Sequence, residues 1–259
     1  MNRFGEAEAT YRRAVSIRPN YWAPYNWLGV LYYRNGDNEK AAEMFRRVTE
    51  LAPENHQAFY NLGAIDYMLG KWTEAEEMFK RSIAILPNAS AYSNLGTLTF
   101  SEGRFEQSAG YFKRATQLKP KDPMLWGNLG DAYKWSPGNG FKARAAYLRA
   151  VALARDGLRV NPSSSDLLGE LALYEAHLSN FKQAMPQIEK ALSLAPNNNQ
   201  LMYYAALIYH ISGQQAKALY HLRKALGSGY PAQAVRTDPE WRSLKNDQAF
   251  EDLIGSKKQ

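Results

Sequence analysis

The sequence predicts an all-α chain of about six stacked helix-turn-helix units, preceded by one partial unit and closed by a C-terminal cap. Three observations carry this. Prolines recur at Pro19, Pro53, Pro87, Pro120, Pro162 and Pro196, at spacings of 34, 34, 33, 42 and 34 residues. A Leu or Ala followed by a small residue recurs in step with them, at Leu28-Gly29, Leu62-Gly63, Leu95-Gly96, Leu129-Gly130, Leu171-Ala172 and Ala205-Ala206. Twelve residues after the small residue of five of these pairs stands Ala41, Ala75, Ser108, Ala184 or Ala218, and four further on Phe45, Phe79, Phe112, Ile188 or Leu222. An i, i+4 spacing marks one face of an α-helix, and Val48, Ser82, Ala115, Ala191 and Ala225 fall on that same face. Self-similarity at this period points to a solenoid rather than to one or two separable globular domains.

Taken in order, residues 1–21 match only the second helix of a unit, through Phe4, Ala7, Tyr11, Ala14 and Pro19. A second helix without its partner exposes its apolar face, so the expectation is either a piece of a longer chain or an edge that packs on another surface. Full units follow at 22–55, 56–88 and 89–122. In each, the small residue lets two helices approach closely, aromatics fill the space between neighbouring pairs, and proline ends the second helix. Asn35-Gly36-Asp37, Gly70-Lys71, Glu102-Gly103 and later Ser212-Gly213 mark the turns within units. Thr73 with Glu76 has the spacing of a capping box for a second helix. The unit at 123–164 carries eight extra residues around Trp135-Ser136-Pro137-Gly138-Asn139-Gly140, before a long second helix from about Phe141 to Val160. Units at 165–198 and 199–230 complete the array. The remaining stretch, 231–259, offers Trp241, Leu244, Phe250 and Leu253 to cover the last apolar face, as a terminal cap must.

The order of aromatic, Leu-Gly, Tyr, Ala, Phe, Ala and Pro over 34 residues resembles the tetratricopeptide repeat. The unit 22–55 supplies Tyr25, Leu28, Gly29, Tyr32, Ala41, Phe45 and Pro53, with Val48 in place of the usual Ala. The resemblance covers nearly the whole chain. It implies a right-handed superhelix whose first helices line a concave surface where extended peptides bind. By the family's register the inward positions include Asn61, Asn94 and Asn128, at one place in three consecutive units, with Tyr60 and Lys134 and a parallel aromatic row of Tyr33, Tyr67 and Phe100. A carboxamide donates and accepts at once, so an asparagine ladder suits successive peptide groups, and the aromatic row suits apolar side chains. Asn at this place is also part of the family's common pattern, and the aromatics have the alternative of packing on adjacent helices. The lysines with which some co-chaperone members clamp a terminal carboxylate are missing, since their positions hold Ala23, Asn26, Gln57, Tyr60, Ser90, Ser93, Met124 and Gly127. The tail and the Trp-x-Pro-Gly insert resemble those of bacterial arrays behind winged-helix regulators, Ser/Thr protein kinases or nucleotide cyclases.

Composition narrows the chemistry. The 259 residues are 45 % hydrophobic and 22 % charged, an ordinary globular balance, and include no cysteine. That absence removes disulfides, thiolate metal sites and Cys nucleophiles together. The net charge is +7. Within 123–164 the residues Arg144, Arg155 and Arg159 lie together on the long helix and form a basic ridge, read either as a solvated face or as a polyanion site. No phosphate-binding loop, H-E-x-x-H or G-x-S-x-G pattern occurs, and His56, His177, His210 and His221 lack a helical metal-ligand spacing, although the register makes His177 and His210 potential neighbours. No catalytic constellation, cofactor or metal is expected. The most apolar stretch, Leu201–Ile211, falls short of the roughly 20 apolar residues that span a bilayer, no secretory leader is recognisable, and a cytoplasmic location is the expectation.

The function expected is thus a non-enzymatic interaction scaffold that takes a protein or peptide segment in its groove, as part of a larger bacterial signalling or regulatory protein. Self-association through terminal repeats, giving a homo-oligomer, is one alternative. An intramolecular sensor or spacer for an effector domain is a second, and polyanion binding on the basic ridge a third. Nucleic acid is not favoured as partner.

Overall fold

The computed structural model describes residues 3–255. Among them are fifteen α-helices, one 3₁₀ helix and no strand, so the all-α, paired-helix architecture expected from the period is present. The lone helix α1 (Arg3–Ile17) precedes six pairs: α2 (Trp22–Arg34) with α3 (Asn38–Leu51), α4 (His56–Met68) with α5 (Trp72–Ile85), and α6 (Ala89–Ser101) with α7 (Phe105–Leu118); then α8 (Pro123–Trp135) with α9 (Gly140–Val160), α10 (Ser165–His177) with α11 (Phe181–Leu194), and α12 (Asn199–Ile211) with α13 (Gln215–Gly227). The tail forms α14 (Ala232–Thr237), a 3₁₀ helix (Pro239–Leu244) and α15 (Gln248–Ile254). The chain divides into two compact units, Met1–Leu98 and Thr99–Gln259.

First helices start where proline has just stopped the preceding one. Two residues after Pro53, the Asn55 side chain accepts from the backbone N–H of Gln57 and Ala58 at 3.1 and 3.3 Å. Asp122, Ser164 and Asn198 repeat this after Pro120, Pro162 and Pro196, and Asn88 does so directly after Pro87. Each satisfies backbone donors that the helix itself leaves unpaired. Second helices begin differently. Lys71, Arg104, Asn180 and Gln214 precede them without a side-chain cap, while Asp37 caps α3 by accepting from the Lys40 backbone N–H at 3.2 Å, and entry in these pairs follows a residue in the left-handed region: Gly36, Gly70, Gly103 and Gly213 at φ 81°, 74°, 78° and 78°. In the fifth pair Ser179 takes that place at φ 63° without glycine's freedom. The Thr73–Glu76 capping box does not form. Helix α5 already includes Thr73, and Glu76 pairs one turn on with Lys80 at 2.7 Å.

The recurrent small residue is a packing requirement. A Cβ on Gly29 would meet the Phe45 ring at 2.8 Å, one on Gly63 the Phe79 ring at 2.9 Å, and one on Gly130 the Tyr147 ring at 2.5 Å. Where alanine stands instead, at Ala172 and Ala206, the residue in the facing register is the smaller Ile188 or Leu222, and all four are fully buried. Burying a side chain of this size contributes about 1.5–3 kcal/mol, and each does so only if its partner leaves the volume. The insertion lengthens a helix: α9 has 21 residues against 14 in α7. Helix α1 is not bare towards α2. Phe4, Tyr11 and Val15 pack on the core around Leu28, Tyr32 and Phe45, Tyr11 stacks on Trp27, and Tyr32 donates to Glu8 at 2.7 Å. No helix among the described residues is long and apolar enough to cross a membrane.

Candidate functional site

The first helices of the pairs carry the candidate groove residues, and the two units differ in what happens to them. In the first unit Val30, Tyr33, Arg34, Phe45, Tyr60, Asn61, Ala64, Ile65 and Met68 line a cavity of about 320 Å³. Its floor is apolar, supplied by Val30, Phe45, Ala64, Ile65 and Met68, and its polar groups are two phenols, one carboxamide and one guanidinium. Tyr33 and Tyr67 are 47 % and 37 % exposed. Tyr60 tilts against Phe79 at 6.0 Å, which fixes its ring at the cavity wall. Asn61 is only partly available: its side-chain oxygen accepts from Gln57 Nε2 at 2.9 Å, leaving the amide N–H groups for a ligand. Asn94 lies half-buried on α6.

In the second unit the corresponding face is covered by the chain's own tail. Tyr203 on α12 donates to Asp238 at 2.5 Å and receives the Trp241 indole N–H at 3.1 Å. His210, also on α12, lies 3.1 Å from the Glu240 carbonyl oxygen through Nε2, 3.1 Å from Gln215 through Nδ1, and 4.8 Å from Trp241 ring to ring. The Lys134 ammonium on α8 binds the Glu240 carboxylate. The guanidinium of Arg242 lies 5.1 Å above the Trp135 ring and 5.5 Å from Phe105. Trp241 and Phe250 are buried and stacked at 5.5 Å, so the tail does cap the last apolar face, with Leu244 and Leu253 packed around them. Lys134, expected as a groove residue open to a ligand, is therefore held by Glu240. Phe100 packs edge-on against Phe105 at 5.2 Å rather than standing free in an aromatic row. Asn128 is half-buried on α8.

Beneath the tail lies a polar cluster. Tyr147 on α9 donates to Asp131 on α8 at 2.7 Å, and His177 on α10 places Nε2 at 3.4 Å from the same oxygen while its ring stacks on Tyr147 at 4.7 Å. Burial pushes the Asp131 carboxyl up to about 7, with the negative Glu240 and Asp238 adding to the effect and the Tyr147 hydrogen bond opposing it. Burial likewise pushes Asp238 up to about 6 and holds His177 well below the usual imidazole range. His177 and His210 thus have separate partners. Among the described residues no group of three or more His, Asp or Glu side chains is placed to hold a metal ion.

The basic ridge is partly neutralised. Arg155 pairs with the buried Glu175, which also accepts from Asn180 at 2.6 Å, and Arg159 pairs with Asp156. Arg144 is exposed. Sequence reasoning missed the tail's place on Lys134, Tyr203 and His210. The local signal available was Asp238-Pro239-Glu240, an Asx-capped turn that presents Glu240 and Trp241 side by side.

Comparison with known proteins agrees with this architecture. Tetratricopeptide repeat models match residues 28–90 and 170–234 in one form and residues 89–122 in another, and a third, described as a TPR repeat, matches residues 1–36. No curated protein matches the sequence. Among solved structures, the APC/C hetero-tetramer Cut9–Hcn1 superposes with a TM-score of 0.64 at 16 % identity, over 91 % of this chain and 45 % of that one. The chain thus spans under half the length of that relative. YrrB, titled a TPR protein with an unusual peptide-binding site, superposes at 0.51 with 18 % identity, over 74 % of this chain and 95 % of that one. The human IFIT1 dimer with m7Gppp-AAAA superposes at 0.59 with 14 % identity, over 97 % of this chain and 63 % of that one. At such identities the likeness is one of fold. With the repeat models matching across 1–122 and 170–234, and α-helices joined by short turns through the described part of these stretches, this chain belongs to the tetratricopeptide repeat family.

Proposed function

We propose that the chain is a non-enzymatic protein-interaction scaffold whose available groove is the first-helix face of the unit Met1–Leu98. The carrying observation is the contrast between the two units. The first unit keeps an apolar cavity of about 320 Å³ rimmed by Tyr33, Arg34, Tyr60 and Asn61, whereas the second has its face closed by residues 238–242. Concave apolar sites with a few placed polar groups are where ligands bind. The second unit also shows that a face of these repeats receives an irregular segment through side-chain carboxylates, an indole and a backbone carbonyl. The tail and the Trp135-Ser136-Pro137-Gly138 insert, by their resemblance to arrays in bacterial signalling proteins, support a place in such a protein.

The test is selection of random displayed peptides on the immobilised chain, followed by titration against a Tyr60→Ala, Asn61→Ala double variant of unchanged helical circular dichroism. Selected peptides are expected to bind the variant at least tenfold more weakly, since each lost hydrogen bond costs about 0.5–1.5 kcal/mol and an aromatic contact is worth about as much again. Equal affinity for both proteins removes the groove reading. Self-association is the second reading, favoured by the exposed Trp27 and Tyr21 beside α1; a molar mass by light scattering that stays monomeric at rising concentration removes it.

A further inference from the structure

The register of the repeats indicates what kind of segment the first unit takes, an inference that rests on the groove reading above. In the twelfth and thirteenth places of the units beginning at residues 22, 56, 89 and 123 stand Tyr33-Arg34, Tyr67-Met68, Phe100-Ser101 and Lys134-Trp135. Two of these four pairs join an aromatic ring to a cation. In the second unit the pair Lys134-Trp135 takes Glu240 on its ammonium and Arg242 on its indole face, while the intervening Trp241 sinks into the core. A carboxylate is therefore what the cation of one such pair already receives in this chain, and the large aromatic that follows it is buried beside the pair, against Tyr203, His210 and Phe250.

The other pair, Tyr33-Arg34, borders the open cavity of the first unit. The Arg34 guanidinium forms no ion pair with another described residue, and no acidic side chain is among those lining the cavity. The single acidic residue of α4, Asp66, is buried. Next to Arg34 the floor of Val30, Phe45, Ile65 and Met68 offers room for one large side chain, at the lower end of the size range of ligand pockets. We propose that this cavity takes an extended segment of a partner protein in which a carboxylate stands next to a large aromatic side chain, the carboxylate on Arg34 and the ring on the apolar floor. The ring supplies most of the affinity. The exposed arginine adds little energy by itself and acts by discriminating between charges.

The test uses fluorescein-labelled, end-blocked octapeptides and fluorescence anisotropy. The acidic probe is Gly-Ser-Asp-Pro-Glu-Trp-Gly-Ser, and its neutral counterpart carries Asn and Gln in place of Asp and Glu. The acidic peptide is expected to bind at least threefold more tightly than the neutral one, with the advantage lost at high salt. The Arg34→Glu variant should weaken the acidic peptide at least tenfold and leave the neutral one unchanged; Arg34→Gln, gentler on the fold, should equalise the two. Equal binding of both peptides by the unaltered chain, or an Arg34→Glu variant that still prefers the acidic one, overturns the proposal. If both peptides bind alike and both are lost in the Tyr60→Ala, Asn61→Ala variant, the charge selection fails while the groove stands. If neither peptide binds and the display selection is also empty, the proposal and the groove reading fail together.

Discussion

The indole N–H of Trp241 donates to the hydroxyl of Tyr203 at 3.1 Å, and that hydroxyl donates onward to Asp238 at 2.5 Å. One phenol on α12 thereby fixes both the cap of the 3₁₀ turn and the aromatic plug that follows it. The Trp241 N–H and the Tyr203 hydroxyl are both satisfied while the indole ring is buried, the arrangement that makes a buried Trp stabilising rather than costly.

Trp241→Ala should therefore destabilise the second unit by about 3–5 kcal/mol, the range for emptying a large aromatic site. Trp241→Phe keeps most of the burial and should cost far less. Denaturant titration gives the magnitude, and hydrogen exchange should show faster exchange in α12, α13 and α15. Unchanged protection in α12 would mean that the tail is not part of its core.

Stability should depend on pH between about 4 and 7. Asp131 and Asp238 have pKa values raised to about 7 and about 6, and burial raises Glu170 to about 7 as well. Groups with a raised carboxyl pKa bind protons more tightly when folded, so their contribution favours the folded state at low pH and is lost as pH rises through the folded values. His177, held below its ordinary value, works in the opposite sense and favours folding as pH rises towards 6.5. Burial also raises Asp66 and lowers His221, and four raised carboxyls against two lowered imidazoles predict a urea midpoint that falls from pH 5 to pH 8. Asp131→Asn should flatten that fall, and an identical pH profile would exclude Asp131 as a contributor.

Gly63→Ala places a Cβ 2.9 Å from the Phe79 ring, and should cost about 1–3 kcal/mol by overpacking. Adding Phe79→Leu recreates the Ala206 and Leu222 combination of the sixth pair and should recover part of the loss. A double-mutant cycle reads the coupling directly. Purely additive values would show that ring and glycine are not packed as described.

Ser179→Gly should raise stability by about 1 kcal/mol. A non-glycine residue in the left-handed region costs roughly 1–2 kcal/mol, and glycine's extra freedom in the unfolded chain returns only part of the gain. A melting temperature that does not rise would place the strain elsewhere.

The helix pairs were legible because their signals are local and repeated: proline, cap, small residue and bulky partner recur at fixed offsets, and each offset has one steric meaning. The candidate site was legible only in part. Asn61, Tyr33 and Tyr60 do reach a common region, but the Gln57 contact that occupies half of the Asn61 amide is an i, i+4 pair within one helix and was open to inspection. The Lys134 and Glu240 pair was not, since partners 106 residues apart share no periodicity. The sequence places Arg155 in the basic ridge without its counter-charge because Glu175 is supplied by a different helix. The Thr73 and Glu76 spacing fitted a cap, yet the helix starts earlier, where the left-handed Gly70 has already turned the chain.

The matched volumes of the small residue and its bulky partner have a consequence for how such a chain can change over generations. Gly63 and Phe79, or Ala206 and Leu222, are inherited safely only together. A genetic exchange joining the first helix of one pair to the second helix of another would set alanine against phenylalanine, or glycine against leucine, and leave either a clash or a void. Exchanges between one proline and the next move both members at once. Duplication and loss should therefore proceed in whole steps of 34 residues, and inserted sequence should survive where neither member of a pair is displaced, as in the lengthened α9 beyond Tyr147.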